Sequence, residues 1–458
     1  MSETNFLHLV QQQQAYFQSG ATRSIQFRLK QLKKLRDVVI QNESLIFETL
    51  KKDLHKSEFE SYATEIGFVL EELSYQIKHL KKWAKPKRVK NPITNFPASS
   101  YITWEPKGNV LIIAPWNYPF QLVFVPLIGA MAAGNTIVLK PSEISLETAK
   151  SIKKMLNNAF DPSYIEVVIG GAEIGQALLE QPFHHIFFTG SPRVGQIVLE
   201  SAARQMIPVT LELGGKSPCI VDEFVNVKQV ARRIIWGKLI NAGQTCIAPD
   251  YILVHAKVKD ELLTEMESAI RQFYGDKLIE NDEYPRIINE SGMQRLISLL
   301  EDADIYFGGN YDIEKKFFEP TILNNATFDM PVMQQEIFGP ILPVITYSSV
   351  DELVEMLKIH TNPLALYLFS KNRKLVKTIV ERVPAGGVTI NDTIMHIANN
   401  KLPFGGVGGS GLGQYHGQYS FEVFSNSKPV VYKATWLDIP LRYPPFRSKL
   451  KYVRKLMR

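Results

Sequence analysis

Two cysteines in 458 residues leave this chain without a disulfide framework, which points to a reducing compartment. Long apolar runs are also missing. The longest, Leu122 to Ala133, contains Pro126 and Gly129 and falls short of the roughly 20 residues a membrane-spanning helix needs. Met1 to Gln14 carries no apolar core of the signal-peptide type. Together these absences predict a cytoplasmic protein. A strong charge of one sign is lacking as well: the net charge of +6 is mild for this length and calls for no nucleic-acid partner. No Cys/His/carboxylate spacing suggests a metal site, and no repeat or low-complexity tract interrupts the chain. A literal GxGxxG occurs at Gly406, Gly408 and Gly411, but it follows Pro403-Phe404 rather than a strand and reads as a loop. Gly-Lys-Ser at 215–217 has no glycine where a phosphate loop needs one, because Thr210 stands there. Gly408-Gly409-Ser410-Gly411-Leu412 fails the nucleophile-elbow pattern at its last position, which argues against serine hydrolase chemistry.

What is present is an ordinary globular composition, 45% apolar and 21% charged, in a chain too long for a single core. The first eighty residues read as helices. Leu29, Leu32, Leu35 and Val39, then Ile46, Leu50 and Leu54, then Ile66, Leu70, Leu73, Ile77 and Leu80 recur at spacings of three and four. Lys78 to Lys90 holds seven basic residues and Pro86, and reads as a solvated connector. From Asn109 short β-rich runs alternate with segments able to form helices. Such a rhythm predicts βαβ units, a parallel sheet and a ligand at the carboxyl ends of its strands. Phe188-Thr189-Gly190-Ser191-Pro192-Arg193-Val194-Gly195 closes one strand and opens a helix, where an anionic pyrophosphate could sit or where the turn is merely tight.

The chemistry-bearing candidates are few. Cys219 leads into Ile220-Val221 and reads as strand filler, whereas Cys246 lies in the small-residue stretch Asn241 to Pro249. A thiolate there would be a strong nucleophile; a buried, inert thiol is the plain alternative. Glu212, before a glycine pair, could act as a general base or as an ion-paired strand residue. Asn117, after Pro115-Trp116 at a strand end, offers an amide able to stabilise an oxyanion.

These stretches resemble the NAD(P)-dependent aldehyde dehydrogenases. Leu211-Glu212-Leu213-Gly214-Gly215-Lys216-Ser217-Pro218 is similar to that family's glutamate signature, and Asn241 to Asp250 to its cysteine signature. Pro115 to Pro119, Lys140 to Glu143, Phe188 to Ser191, Glu336 to Pro340 and Pro403 to Gly406 match in the family's order, over roughly residues 20–430. The Ala248-Pro249-Asp250-Tyr251 continuation and the tail around Leu441 to Pro445 resemble the class 3 branch, which handles medium- and long-chain aliphatic and aromatic aldehydes.

The resemblance implies an α/β fold with a Rossmann-like cofactor domain (1–212, with a bridging segment at 82–103), a second α/β catalytic domain (213–412), a returning and bridging strand (413–437) and a basic tail (438–458). It also implies Cys246 as nucleophile, Glu212 as base and Asn117 as oxyanion donor. For the cofactor it implies Lys140 and Glu143 at the adenosine ribose, Gly190, Ser191 and Gly195 around the pyrophosphate, Leu213 beside it, and Glu336 and Phe338 at the nicotinamide ribose and ring. Tyr118 and Phe404 would line the pocket. NAD is the expected cofactor, since the Glu143 carboxylate favours a free 2′-hydroxyl, with NADP as the alternative. A homodimer is the expected assembly. An enzyme passing its thioester to coenzyme A is the competing reading, and Glu212 weighs against it; a non-catalytic binding protein is a third. The last seventeen residues carry seven basic side chains and no acid, and are expected to pack in a dimer or hang free rather than to touch a membrane.

Overall fold

The βα rhythm from Asn109 becomes a six-stranded sheet in the computed structural model, which describes residues 3–457. Its order is Gly411–Leu412, Val209–Leu213, His185–Gly190, Asn109–Ile113, Thr136–Lys140 and Ile165–Val167. All neighbours run parallel except the first pair, where Gly411 lies opposite Glu212. These strands are buried almost throughout, which is why they read as continuous apolar runs rather than alternating ones. Gln121–Ala133, the longest apolar stretch of the sequence, forms a helix buried on every side, and Gly134 ends it in a left-handed conformation at φ 95°.

A second sheet of seven strands follows: Ile305–Phe307, Thr321–Leu323, Ile341–Tyr347, Tyr251–His255, Pro218–Val221, Ala365–Phe369 and Gly387–Ile390. Only Ile305–Phe307 is antiparallel to its neighbour. Cys219 lies in the buried strand expected for it, in register with Tyr367.

The third sheet has three antiparallel strands, Lys87–Val89, Ala98–Pro106 and Ser425–Lys433. It refines the expectation of a basic connector at 78–90. The preceding helix, Gly67–Trp83, continues to Trp83, and Lys87–Val89 becomes an exposed edge strand. Gly411–Leu412, at the end of the expected catalytic segment 213–412, pairs with Val209–Leu213 and so completes the first sheet after the chain has crossed the second.

Among the described residues no helix is long and apolar enough to cross a membrane. In the basic tail Leu450–Leu456 forms a short helix, with Leu450, Tyr452 and Leu456 exposed.

Candidate active site

The helix Val227–Leu239 delivers the chain to Cys246 through an unusual turn. Asn241, Ala242 and Gly243 stand at φ 53°, 51° and 76°, three consecutive left-handed residues. For an alanine this costs about 1–2 kcal/mol, so the surroundings must impose it. They do so with side chains. Gln244 donates Nε2 to the carbonyls of Asn241 and Arg286, both at 3.0 Å, and accepts the Ile288 N–H on Oε1 at 3.0 Å. Asn241 donates Nδ2 to the carbonyls of Asn117 at 2.8 Å and Gln244 at 3.1 Å. Glu60 accepts the Asn241 N–H at 2.8 Å. Gly243 must be glycine, because a Cβ there would lie 2.2 Å from the Gly339 carbonyl. The turn leaves Cys246 half-buried on the wall of a cavity of about 1520 Å³.

Asn117 is locked onto the same turn. Its Nδ2 donates to the Gln244 carbonyl at 3.1 Å, and the neighbouring Tyr118 hydroxyl shares a 2.6 Å hydrogen bond with Thr245 Oγ1. Beneath them lies a fully buried ion pair, Lys56 to Glu65 at 2.7 Å. Glu65, in a π-helical turn over Tyr62–Ile66, accepts the N–H groups of Phe120 and Gln121, while Lys56 reaches the Asn117 carbonyl and sits 4.0 Å over the Tyr118 ring.

Glu212 faces the same cavity from the Val209–Leu213 strand, and both of its carboxylate oxygens are buried without a hydrogen-bond partner. Burial pushes its carboxyl well above the usual range. The Cys246 thiol is likewise raised, by burial first and then by the negative charges of Glu336 and Glu212, against the opposing pull of the Cys246 and Ile247 N–H groups. Burial and these two charges thus oppose ionisation of the sulfur.

On the other wall, Glu336 lies over the glycine pair after Glu212. A Cβ on Gly214 would fall 2.0 Å from Glu336 Oε2, so a larger residue there would push this carboxylate aside. Burial and then Asp250 raise Glu336 to about 8, against the Gly215 N–H, Lys216 and Arg295. Lys216 pairs with Asp250 at 2.6 Å and donates to the carbonyls of Val332 and Gln335, while Arg295 reaches the carbonyls of Glu336 and Phe338. Phe338, at φ 47°, meets Trp116 edge-on at 5.3 Å.

Gly190 and Ser191 also border the cavity. Ser191 caps the helix Pro192–Arg204, whose N–H groups at this end can receive an anion. Beside them Thr189 Oγ1 is buried with no partner. Gly195, in the first turn of that helix, packs closely on Leu213: a Cβ there would lie 2.6 Å from Leu213 Cδ2. Lys140 and Glu143 bind each other at 2.7 Å, just outside the cavity wall. Phe404 stacks between His396 and His416. A nucleotide fits these residues: a helix N-terminus, an orphaned hydroxyl and a carboxylate over glycine all border the same cavity. Among the described residues no cluster of His, Cys, Asp and Glu could hold a metal.

The aldehyde dehydrogenase family model matches residues 1–430. This chain belongs to the aldehyde dehydrogenase family. It is 50% identical over 442 residues to 4,4′-diaponeurosporen-aldehyde dehydrogenase of Staphylococcus aureus, covering 96% of each chain. Aldehyde dehydrogenase family 3 member A2 of Pongo abelii is 46% identical over 94% of this chain and 89% of its own. Among solved structures, the substrate-bound state of Staphylococcus aureus AldH superposes with a TM-score of 0.97 at 48% identity, covering 98% of this chain and 99% of that one. An indole-3-acetaldehyde dehydrogenase in complex with NAD+ gives 0.87 at 26% identity, over 94% and 89% of the two chains. The expected fold and family are thus both borne out, and the chain is an oxidoreductase.

Sequence reasoning for this aldehyde dehydrogenase missed Lys56, Glu60, Glu65 and Arg295, which carry no motif. Lys216 and Asp250 lay inside the quoted signatures, yet nothing in their spacing of 34 positions showed that they pair.

Proposed function

We propose that this chain oxidises medium- or long-chain aliphatic or aromatic aldehydes to carboxylic acids, with NAD as cofactor and NADP as the alternative. The observation that carries the reading is the unpartnered, buried Glu212 carboxylate facing the cavity that Cys246 also lines. The apolar wall formed by Phe59, Phe68, Leu122, Trp236, Phe273 and Met395 supports an apolar substrate.

In this reading the Cys246 thiol releases its proton to water and its sulfur bonds to the aldehyde carbon. The Asn117 amide and the Cys246 N–H stabilise the resulting oxyanion, each such donor contributing about 3–4 kcal/mol. When bound, NAD accepts the hydride that leaves that carbon. Glu212 then takes a proton from water, which adds to the thioester and releases the acid and the thiol. Lys140 and Glu143 would hold the adenosine ribose, Gly190 and Ser191 the pyrophosphate, Leu213 the adjoining face, and Glu336 and Phe338 the nicotinamide end. Tyr118 and Phe404 would bound the pocket. A cytoplasmic homodimer is the proposed working form; Val431 and Tyr432, exposed on the Ser425–Lys433 edge strand, support a partner there.

Incubation with aldehydes from acetaldehyde to hexadecanal and each nicotinamide tests the proposal. Free acid should form without coenzyme A, with catalytic efficiency rising with chain length. Acid formation only when coenzyme A is supplied, or none at all, would overturn it.

A further inference from the structure

The strained turn before Cys246 is gripped from the cavity side by a residue outside every signature of the sequence. Glu60 follows Ser57, which caps the short helix Glu58–Ser61 and fixes its first turn. From there Glu60 Oε1 accepts the Asn241 N–H at 2.8 Å. That N–H belongs to the first of the three left-handed residues. Asn241 in turn holds the Asn117 and Gln244 carbonyls through its own Nδ2, and Asn117 returns its Nδ2 to Gln244. The path from Glu60 to the oxyanion donor and to the cysteine loop is therefore continuous. Glu60 also lines the cavity.

We propose that Glu60 is a positioning residue for aldehyde oxidation, whose side-chain oxygen holds Asn241 and so fixes the distance between the Asn117 amide and Cys246. The inference rests on the proposed roles of those two residues. It predicts a defect in chemistry rather than in cofactor binding, because the hydrogen bonds of Asn241 run to Glu60, Asn117 and Gln244 and not to Gly190 or Ser191. A misplacement of about 1 Å between reacting groups is enough to lower a rate roughly 100-fold.

The test compares the full-length chain with Glu60→Ala, Glu60→Gln and Cys246→Ala, using hexanal and NAD. Glu60→Ala should lower kcat roughly 10- to 100-fold while the KM for NAD stays within about twofold. Alkylation of Cys246 by iodoacetamide should change in the same variant, a readout independent of turnover. Glu60→Gln, whose amide oxygen can accept the same N–H, should recover kcat to within about threefold of the parent. Should Glu60→Ala fail to fold, Glu60→Met fills the same space without an oxygen acceptor. A kcat for the acceptor-free variant equal to the parent's, or equal losses in it and Glu60→Gln, overturns the positioning role. Turnover surviving in Cys246→Ala would instead sink the underlying mechanism, so the two failures are told apart.

Discussion

Asn117 donates its side-chain amide to the Gln244 carbonyl, two residues before Cys246. The proposed oxyanion donor and nucleophile are therefore parts of one hydrogen-bonded unit, although 129 positions separate them in sequence. Replacing the amide should be felt at the chemical step.

Asn117→Ala is expected to reduce kcat by about 10²–10³-fold with little change in the KM for NAD. Gln244 keeps the bond from Asn241, so the stability cost should stay near 1 kcal/mol. Steady-state kinetics beside a thermal melt separates the two effects. A kcat within threefold of the parent would refute the oxyanion role.

Glu212→Gln isolates the second half-reaction. The first equivalent of NADH should still appear as a burst, while steady turnover falls about 10²–10⁴-fold for want of a base. Rapid-mixing absorbance records both. If the burst vanishes along with turnover, Glu212 acts before the thioester forms and its assigned role is wrong.

The raised Cys246 thiol gives a directional pH prediction. Two carboxylates oppose its ionisation, so removing one must lower its pKa and increase the thiolate at fixed pH. Glu336 itself ionises at about 8, so the effect of Glu336→Gln should be largest above that pH. Iodoacetamide should label the cofactor-free variant several-fold faster than the parent at pH 9. Equal rates would show that the two charges are not coupled.

Lys140 is held by Glu143, whose carboxyl stays below its ordinary range: burial, the largest single influence, raises it, but the Lys140 hydrogen bond, the Glu143 N–H and the lysine's charge together outweigh burial. Glu143→Gln removes a negative charge beside the expected 2′ position and frees the ammonium. The ratio of kcat/KM for NADP over NAD should rise about tenfold, the factor that one charge-assisted hydrogen bond of roughly 1.5 kcal/mol supplies. An unchanged ratio would place the ribose elsewhere.

Glu72 provides a stability signature. It is buried, accepts from Gln76 Nε2 and the Gly417 N–H, and is raised by burial to about 7. Between an unfolded-chain value of about 4.3 and that folded value, the native state holds a proton the unfolded chain has lost. Its contribution to stability therefore falls as pH rises through this window, by an amount on the order of 1–3 kcal/mol. Glu72→Gln should flatten the decline in melting temperature between pH 5 and 7.5. A parallel decline would assign the effect to other groups.

How much was legible in advance differs between fold and site. The strands at 110–113 and 209–213 and the helix at 145–159 were readable because burial on both faces, or on one stripe, writes itself into apolar periodicity. Cys246, Glu212 and Asn117 stood out through their local settings. Lys56, Glu60 and Glu65 did not, since a partner 181 residues away leaves no local pattern around Glu60. The π-helical turn over Tyr62–Ile66 was equally silent, because its spacing differs from an ordinary helix by one residue. The packing of Gly195 on Leu213 was silent for a related reason: a glycine in a sequence does not show which side chain approaches it.

The pairing of Gly411 with Glu212 also bears on how the enzyme is made. Synthesis runs from the amino end, so the strand that pairs with Glu212 leaves the ribosome only after some 410 residues have preceded it. A nascent chain that has already exposed its thiol has no finished pocket around its carboxylate. A prematurely terminated product ending before Gly411 would leave the Glu212 edge of the sheet without its neighbouring strand.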